Sequence, residues 1–240
     1  MYNKKPIKGK IQVLILLLIT LGCKKEIQLS FSEKELTSTD QAEISIIYPE
    51  AEGTKDIILK INNELEKTMV KSIAFNKENI QGMVLHDAIK NFNDAYVSFK
   101  NNFPENQQKW IANIESEVIY QSNEIITIAL NSYIDTGGAH GNDIILLLNF
   151  NANSGQRLTN ESILECNEAL KTLAKTYLIK EFSQETAMEN YALEEPFYLP
   201  ENIGFSEEGL IFLYNRYEGP LGFTEFVIPY DEIDTFLKVQ

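Results

Sequence analysis

Residues 133–141 read Tyr-Ile-Asp-Thr-Gly-Gly-Ala-His-Gly and place one of the chain's two histidines among three glycines. An imidazole beside carboxylates is the raw material of a metal site or an acid–base pair, and Asp135, His140 and Asp143 could offer three ligands from one loop. Short loops hold a metal rigidly only when further side chains buttress the ligands, and the sequence identifies none. The glycines support another reading, because they reach positive φ and permit close backbone approach without a Cβ. Gly137, Gly138 and Gly141 would let the chain leave one strand, turn sharply or bulge, and enter the next. His140 would then fasten the turn as a polar anchor, or else contact a ligand.

Other reactive constellations are missing. The sequence contains no HExxH, no CxxC, no phosphate loop ending in Gly-Lys-Ser/Thr and no Gly-x-Ser-x-Gly elbow. Glu194-Glu195 and Glu207-Glu208 are acidic pairs, but glycoside chemistry needs carboxyls on opposite sides of a bond. Cys166 reads as a small buried apolar side chain, since a nucleophile would require a base nearby. His86 stands one residue off an apolar helical stripe, where a solvated imidazole is expected. No catalytic residue, metal or cofactor is predicted.

The ends locate the protein. Lys4, Lys5, Lys8 and Lys10 precede the apolar run IQVLILLLITLG and then Cys23, the pattern of a secretory signal and shorter than the ~20 residues of a membrane span. Gly22-Cys23 resembles the lipobox of bacterial lipoproteins, apart from Thr20 where Leu is usual. That resemblance implies cleavage after Gly22, diacylglycerol and acyl (palmitate) modification at Cys23, and a lipid-anchored protein of the bacterial envelope, periplasmic or surface-exposed. Without the four signal lysines, 17 basic side chains face 35 acidic ones, a net charge of −18. Such a surface repels nucleic acid and anionic lipid and favours a cationic partner.

Residues 23–40 are polar with little periodicity and predict a flexible tether. The alternating AEISIIYPE predicts a strand. Ile57, Ile58, Ile61, Leu65 and Met69, and then Leu85, Ala88, Ile89, Phe92, Ala95, Tyr96 and Phe99, form two helical stripes. Strand patterns follow from Trp110, with a turn at Ser122-Asn123; 165–183 predicts a helix, and GLIFLYNRY and FTEFVIPY two strands separated by a turn at Gly219-Pro220. Few crossovers between adjacent strands predict an α+β fold, with antiparallel sheets packed against a few helices. Two subdomains, 41–138 and 139–240, are expected to meet near the GGAHG turn.

The stretches TGGAHGN, LLLNFNANSGQRLTNESIL and PFYLPENIGFSEEGLIFLYNRYEGPLGFTEFVIPYDEIDTFL resemble paired extracytoplasmic domains of unknown function, of the DUF4163/DUF3298 type. Such domains occur in lysozyme-sensing anti-sigma factors, as an accessory module of peptidoglycan deacetylases, and in Bacteroidetes lipoproteins. The resemblance covers about residues 110–238 well, and 40–105 only in general layout. It departs at Asp135, where an aromatic residue is common, at Asn151, where Asp is usual, and in the short loop after Tyr217. It implies a binding or sensing module for a protein or a cell-wall-related ligand, a cationic lysozyme-like protein being the concrete partner class. Tyr133, Asp135, Gly137, Gly138, His140, Gly141 and Tyr217 are the implied binding positions, and the membrane is reached through the lipid anchor. Two other readings stay open: a metal-dependent or hydrolytic cell-wall enzyme centred on His140, and an envelope scaffold without a discrete ligand.

Overall fold

The structure, a computed structural model, describes residues 29–39, 41–74, 80–181, 196–218 and 222–239. The expected signal segment, Cys23, Glu194-Glu195 and the turn expected at Gly219-Pro220 lie outside them. A six-stranded sheet is built in chain order from β1 (Ser30–Ser38), β2 (Glu43–Glu52), β3 (Ile111–Gln121), β4 (Ile125–Asp135), β5 (Asn142–Asn151) and β6 (Arg157–Leu158). Between β2 and β3 run α1 (Lys55–Ile73) and α2 (Leu85–Asn102). After β6 come α3 (Asn160–Ile163), α4 (Glu168–Glu181), and a second sheet of β7 (Asn202–Phe205), β8 (Gly209–Tyr214) and β9 (Thr224–Pro229). The helical turn α5 (Tyr230–Ile233) and a 3-10 turn, Asp234–Phe236, close the chain.

Period-two alternation decides which face each strand buries. Ile44 and Ile46 of β2, Ala112 and Ile114 of β3, Ile128 and Leu130 of β4, and Leu148 and Phe150 of β5 point to one side. There they meet the two expected helical stripes, with Ile61, Leu65, Met69 and Phe92 fully buried and Trp110 tilted against Phe92 at 5.6 Å. On the opposite side, Leu147 packs with Ile211 and Leu213 of the second sheet. The other side of that sheet carries Leu210, Phe212, Phe226 and Ile228, which bury Leu170, Ala174 and Leu178 of α4. The layers are therefore helix pair, sheet, sheet, helix. All six residues of β8 are buried, as a strand covered on both faces requires.

The α+β architecture agrees with the sequence reading, with three corrections. Residues 30–38 are no tether: they pair with β2 from Ser30↔Glu52 to Ser38↔Ile44, and Phe31 packs on the core. Their polarity misleads because an edge strand with one solvated face carries few apolar residues. The GGAHG turn joins no subdomains either. It closes the β4–β5 hairpin inside one sheet, and the sheets change only between β6 and β7. Finally, β2 and β3 pair in parallel, which the long α1–α2 crossover permits. The predicted 165–183 helix forms as α4, preceded by the separate turn α3. Thr159 and Ser162 form a reciprocal cap on α3, α4 begins at Glu168, and Cys166 is exposed between them. Its thiol is pushed up by partial burial and then by Glu161, which leaves little nucleophilic thiolate.

Candidate functional site

Each residue of the glycine–histidine turn has a separate task. Asp135 Oδ1 accepts the Gly137 N–H at 2.8 Å and the Gln108 amide at 3.3 Å, closing an Asx-type turn. Gly137 sits at φ +85°, which an L side chain rarely adopts. Gly141 is needed for space, since a Cβ there would lie 2.4 Å from the Tyr133 ring that covers it. Gly138 has neither constraint; the nearest atom to a Cβ would be the His140 carbonyl at 3.8 Å. His140 is exposed, with Nδ1 3.0 Å from the carbonyl oxygen of Gly141. The imidazole thus bonds to the turn that carries it, and among the described residues no three His, Cys, Asp or Glu side chains are grouped to hold a metal.

The turn opens onto the sheet face opposite α1 and α2. Cross-strand register places Thr37, Ser45, Asn113, Tyr133 and Asp143 in one row across five strands. Asn113 Oδ1 and Asp143 Oδ1, on either side of Tyr133, are buried without a hydrogen-bond partner. The adjacent row is Glu35, Ile47, Glu115, Asn131 and Ile145, and Glu33 and Glu117 continue the same face beyond it. Glu43 and Asp135 flank the first row on the turn side. Glu33, Glu35, Glu43, Glu115 and Glu117 are exposed, and no Lys or Arg occupies any strand position of this face. The second sheet covers the Ala129 and Leu147 end, and the β1–β3 half stays open.

The second sheet also brings Tyr217 to this end of the molecule. Asn215, where β8 ends, exchanges two hydrogen bonds of 2.9 Å with the backbone of Ile145, and Tyr217 projects from the loop that follows, 73% exposed. Tyr133, Asp135, His140 and Asp143 therefore share one end of β4 and β5 with the Tyr217 loop.

Two family models match, one in each half of the chain. The model described as "Deacetylase PdaC" matches residues 35–143, and "Protein of unknown function (DUF3298)" matches residues 158–231. Residues 35–143 are thus similar to a PdaC-type domain and residues 158–231 to a DUF3298 domain. A DUF3298 family structure from Bacteroides fragilis has a TM-score of 0.63 at 21% identity, covering 88% of this chain and 94% of that one. One from Pseudomonas aeruginosa gives 0.57 at 14%, with the same coverages. No curated protein matches. The PdaC-type match ends as β5 begins and the DUF3298 match starts at the end of β6, so β5 is the strand on which the two meet.

Sequence reasoning missed the means by which they meet. Arg157 donates from Nη1 to the Asn149 carbonyl and from Nη2 to that of Leu147, both at 3.0 Å. Asn202 takes the Leu147 N–H at 3.3 Å, and buried Asn149 joins Thr127 Oγ1 at 2.8 Å and the Ile203 carbonyl at 2.7 Å. The free edges of β5 and β7 are thereby closed by side chains where a backbone ladder is lacking. The polar residues in LLLNFNAN and PENIGF are the only local trace of this.

Proposed function

We propose that this protein is a non-enzymatic envelope lipoprotein whose paired domains bind a cationic protein, with a lysozyme-like protein as the partner class. The observation that carries this reading is the open half of the six-stranded sheet, where exposed carboxylates stand in register and, among the described residues, no Lys or Arg holds a strand position of their face. Carboxylates arranged this way steer a positively charged partner and set its orientation. Tyr133 and the exposed Tyr217 supply aromatic contacts at the rim. The signal and lipobox pattern through Cys23 supports an envelope location.

The test is lysozyme binding by the full chain, followed by calorimetry at low and high salt. The expected result is one-to-one binding that weakens at least tenfold between about 20 mM and 300 mM salt, where the screening length shortens severalfold. It should be lost in the combined Glu35→Lys, Glu115→Lys, Glu117→Lys variant. Absence of binding at low salt removes the lysozyme-like partner, and binding indifferent to the triple substitution removes the acidic face.

A further inference from the structure

On the helix side of the molecule a groove of about 740 Å³ runs between α1, the β5–β6 turn and residues 80–83. Its charge is opposite to that of the rest of the protein. Lys60, Glu64, Lys67 and Lys71 recur at helical spacing along α1 and face Arg157 across it. With Glu66 included, four cations stand against two carboxylates, in a chain of net charge −14. Both carboxylates are engaged. Glu64 Oε2 pairs with Lys67 at 3.3 Å, and Glu66 Oε1 accepts the Leu85 N–H that opens α2, at 2.9 Å. Lys60 is tied to the Ser154 carbonyl, and Lys71 makes no ion pair with any described residue.

Arg157 is the residue that needs explaining. Its guanidinium bonds two neutral carbonyls, lies 5.6 Å from the Phe150 ring centre, and forms no ion pair with a carboxylate of the described residues. Burial pushes it down to about 10, with Glu64 pulling the other way. Closing a strand edge does not require this. Further along the same edge Asn202 and Asn215 satisfy Leu147 and Ile145 with neutral amides. Withdrawing even part of a charge from water is unfavourable unless something compensates it, and an arginine fork is suited to a planar or tetrahedral oxyanion. Val70, Ile80 and Met83 give the same groove an apolar side.

We propose that this groove binds a small amphipathic anion, with Arg157 seating its carboxylate or phosphate and Val70, Ile80 and Met83 receiving its apolar part. The site is independent of the acidic face, which lies on the other side of the sheet. Calorimetry on the full chain with phenyl phosphate, 4-phenylbutyrate and the neutral 4-phenylbutanol tests it. At least one anion should bind saturably at one site, at least tenfold more tightly than the alcohol, and the preferred anion tells a phosphate-bearing natural ligand from a carboxylate-bearing one. Arg157→Gln should weaken that anion about tenfold or more, the scale of a charge-assisted bond. Should Arg157→Gln unfold the protein, Lys67→Glu with Lys71→Glu, both on exposed positions, should still weaken it at least threefold. The proposal is overturned if neither anion saturates, if the alcohol binds equally well, or if the double lysine variant leaves anion affinity unchanged in a folded protein.

Discussion

The two faces of the six-stranded sheet use the same strands for opposite ends. On the helix side, alternate residues are aliphatic or aromatic and lose nearly all solvent contact against α1 and α2. On the other side the intervening residues pass from a dry patch beneath the second sheet to a row of exposed carboxylates. A strand offers two independent surfaces at a period of two, so one set of residues can stabilise while its neighbours stay available for contact. Stability and recognition are thus separated by a single step along the chain.

Substitutions on each face should break or sharpen that contrast. The largest loss is expected from Phe92→Ala, which empties the space beneath Trp110 on the helix side: about 3–5 kcal/mol in urea unfolding. Asn149→Ala, under the second sheet, leaves Thr127 and the Ile203 carbonyl without their partner and should cost about 1–3 kcal/mol. At the turn, Gly141→Ala must displace the Tyr133 ring and should cost about 1–3 kcal/mol, whereas Gly138→Ala should unfold like the parent. On the open face, Glu115→Lys should change stability by no more than about 0.5 kcal/mol while weakening binding of a cationic protein. Equal losses in Phe92→Ala and Glu115→Lys would contradict the division of labour.

The smallest expected effect lies at Glu225, paired with Leu213 where β9 borders the open half. Its carboxyl is raised by burial, so the folded state holds that proton more tightly than the unfolded chain does. Stability from this group is present at low pH and declines as pH rises from the ordinary glutamate range through the raised value. Glu225→Gln should flatten that decline and leave the protein slightly more stable at pH 7, measured by thermal melts between pH 4 and 7.

Much of this was readable in the residues. The stripes from Leu85 to Phe99 and from Ile57 to Met69 specify helices because spacings of three and four align one face, and both helices form where expected. Asp135, Gly137 and Gly141 announced a tight turn. The polar β1 escaped notice because edge pairing asks little of side chains, and four-residue β7 because so short a run carries no period. Gly138, Gly137 and Gly141 look alike in sequence and separate only through φ and the Tyr133 ring.

By itself, then, the sequence determined the helices, the hairpin strands, the turn and the acidic balance, all products of local spacing and composition. The tertiary structure alone decided which carboxylates share a face, how the edges of β5 and β7 are closed, and that Arg157 is partly buried with no described carboxylate paired to it. These depend on register and desolvation, which arise only when segments far apart in the chain are brought into contact.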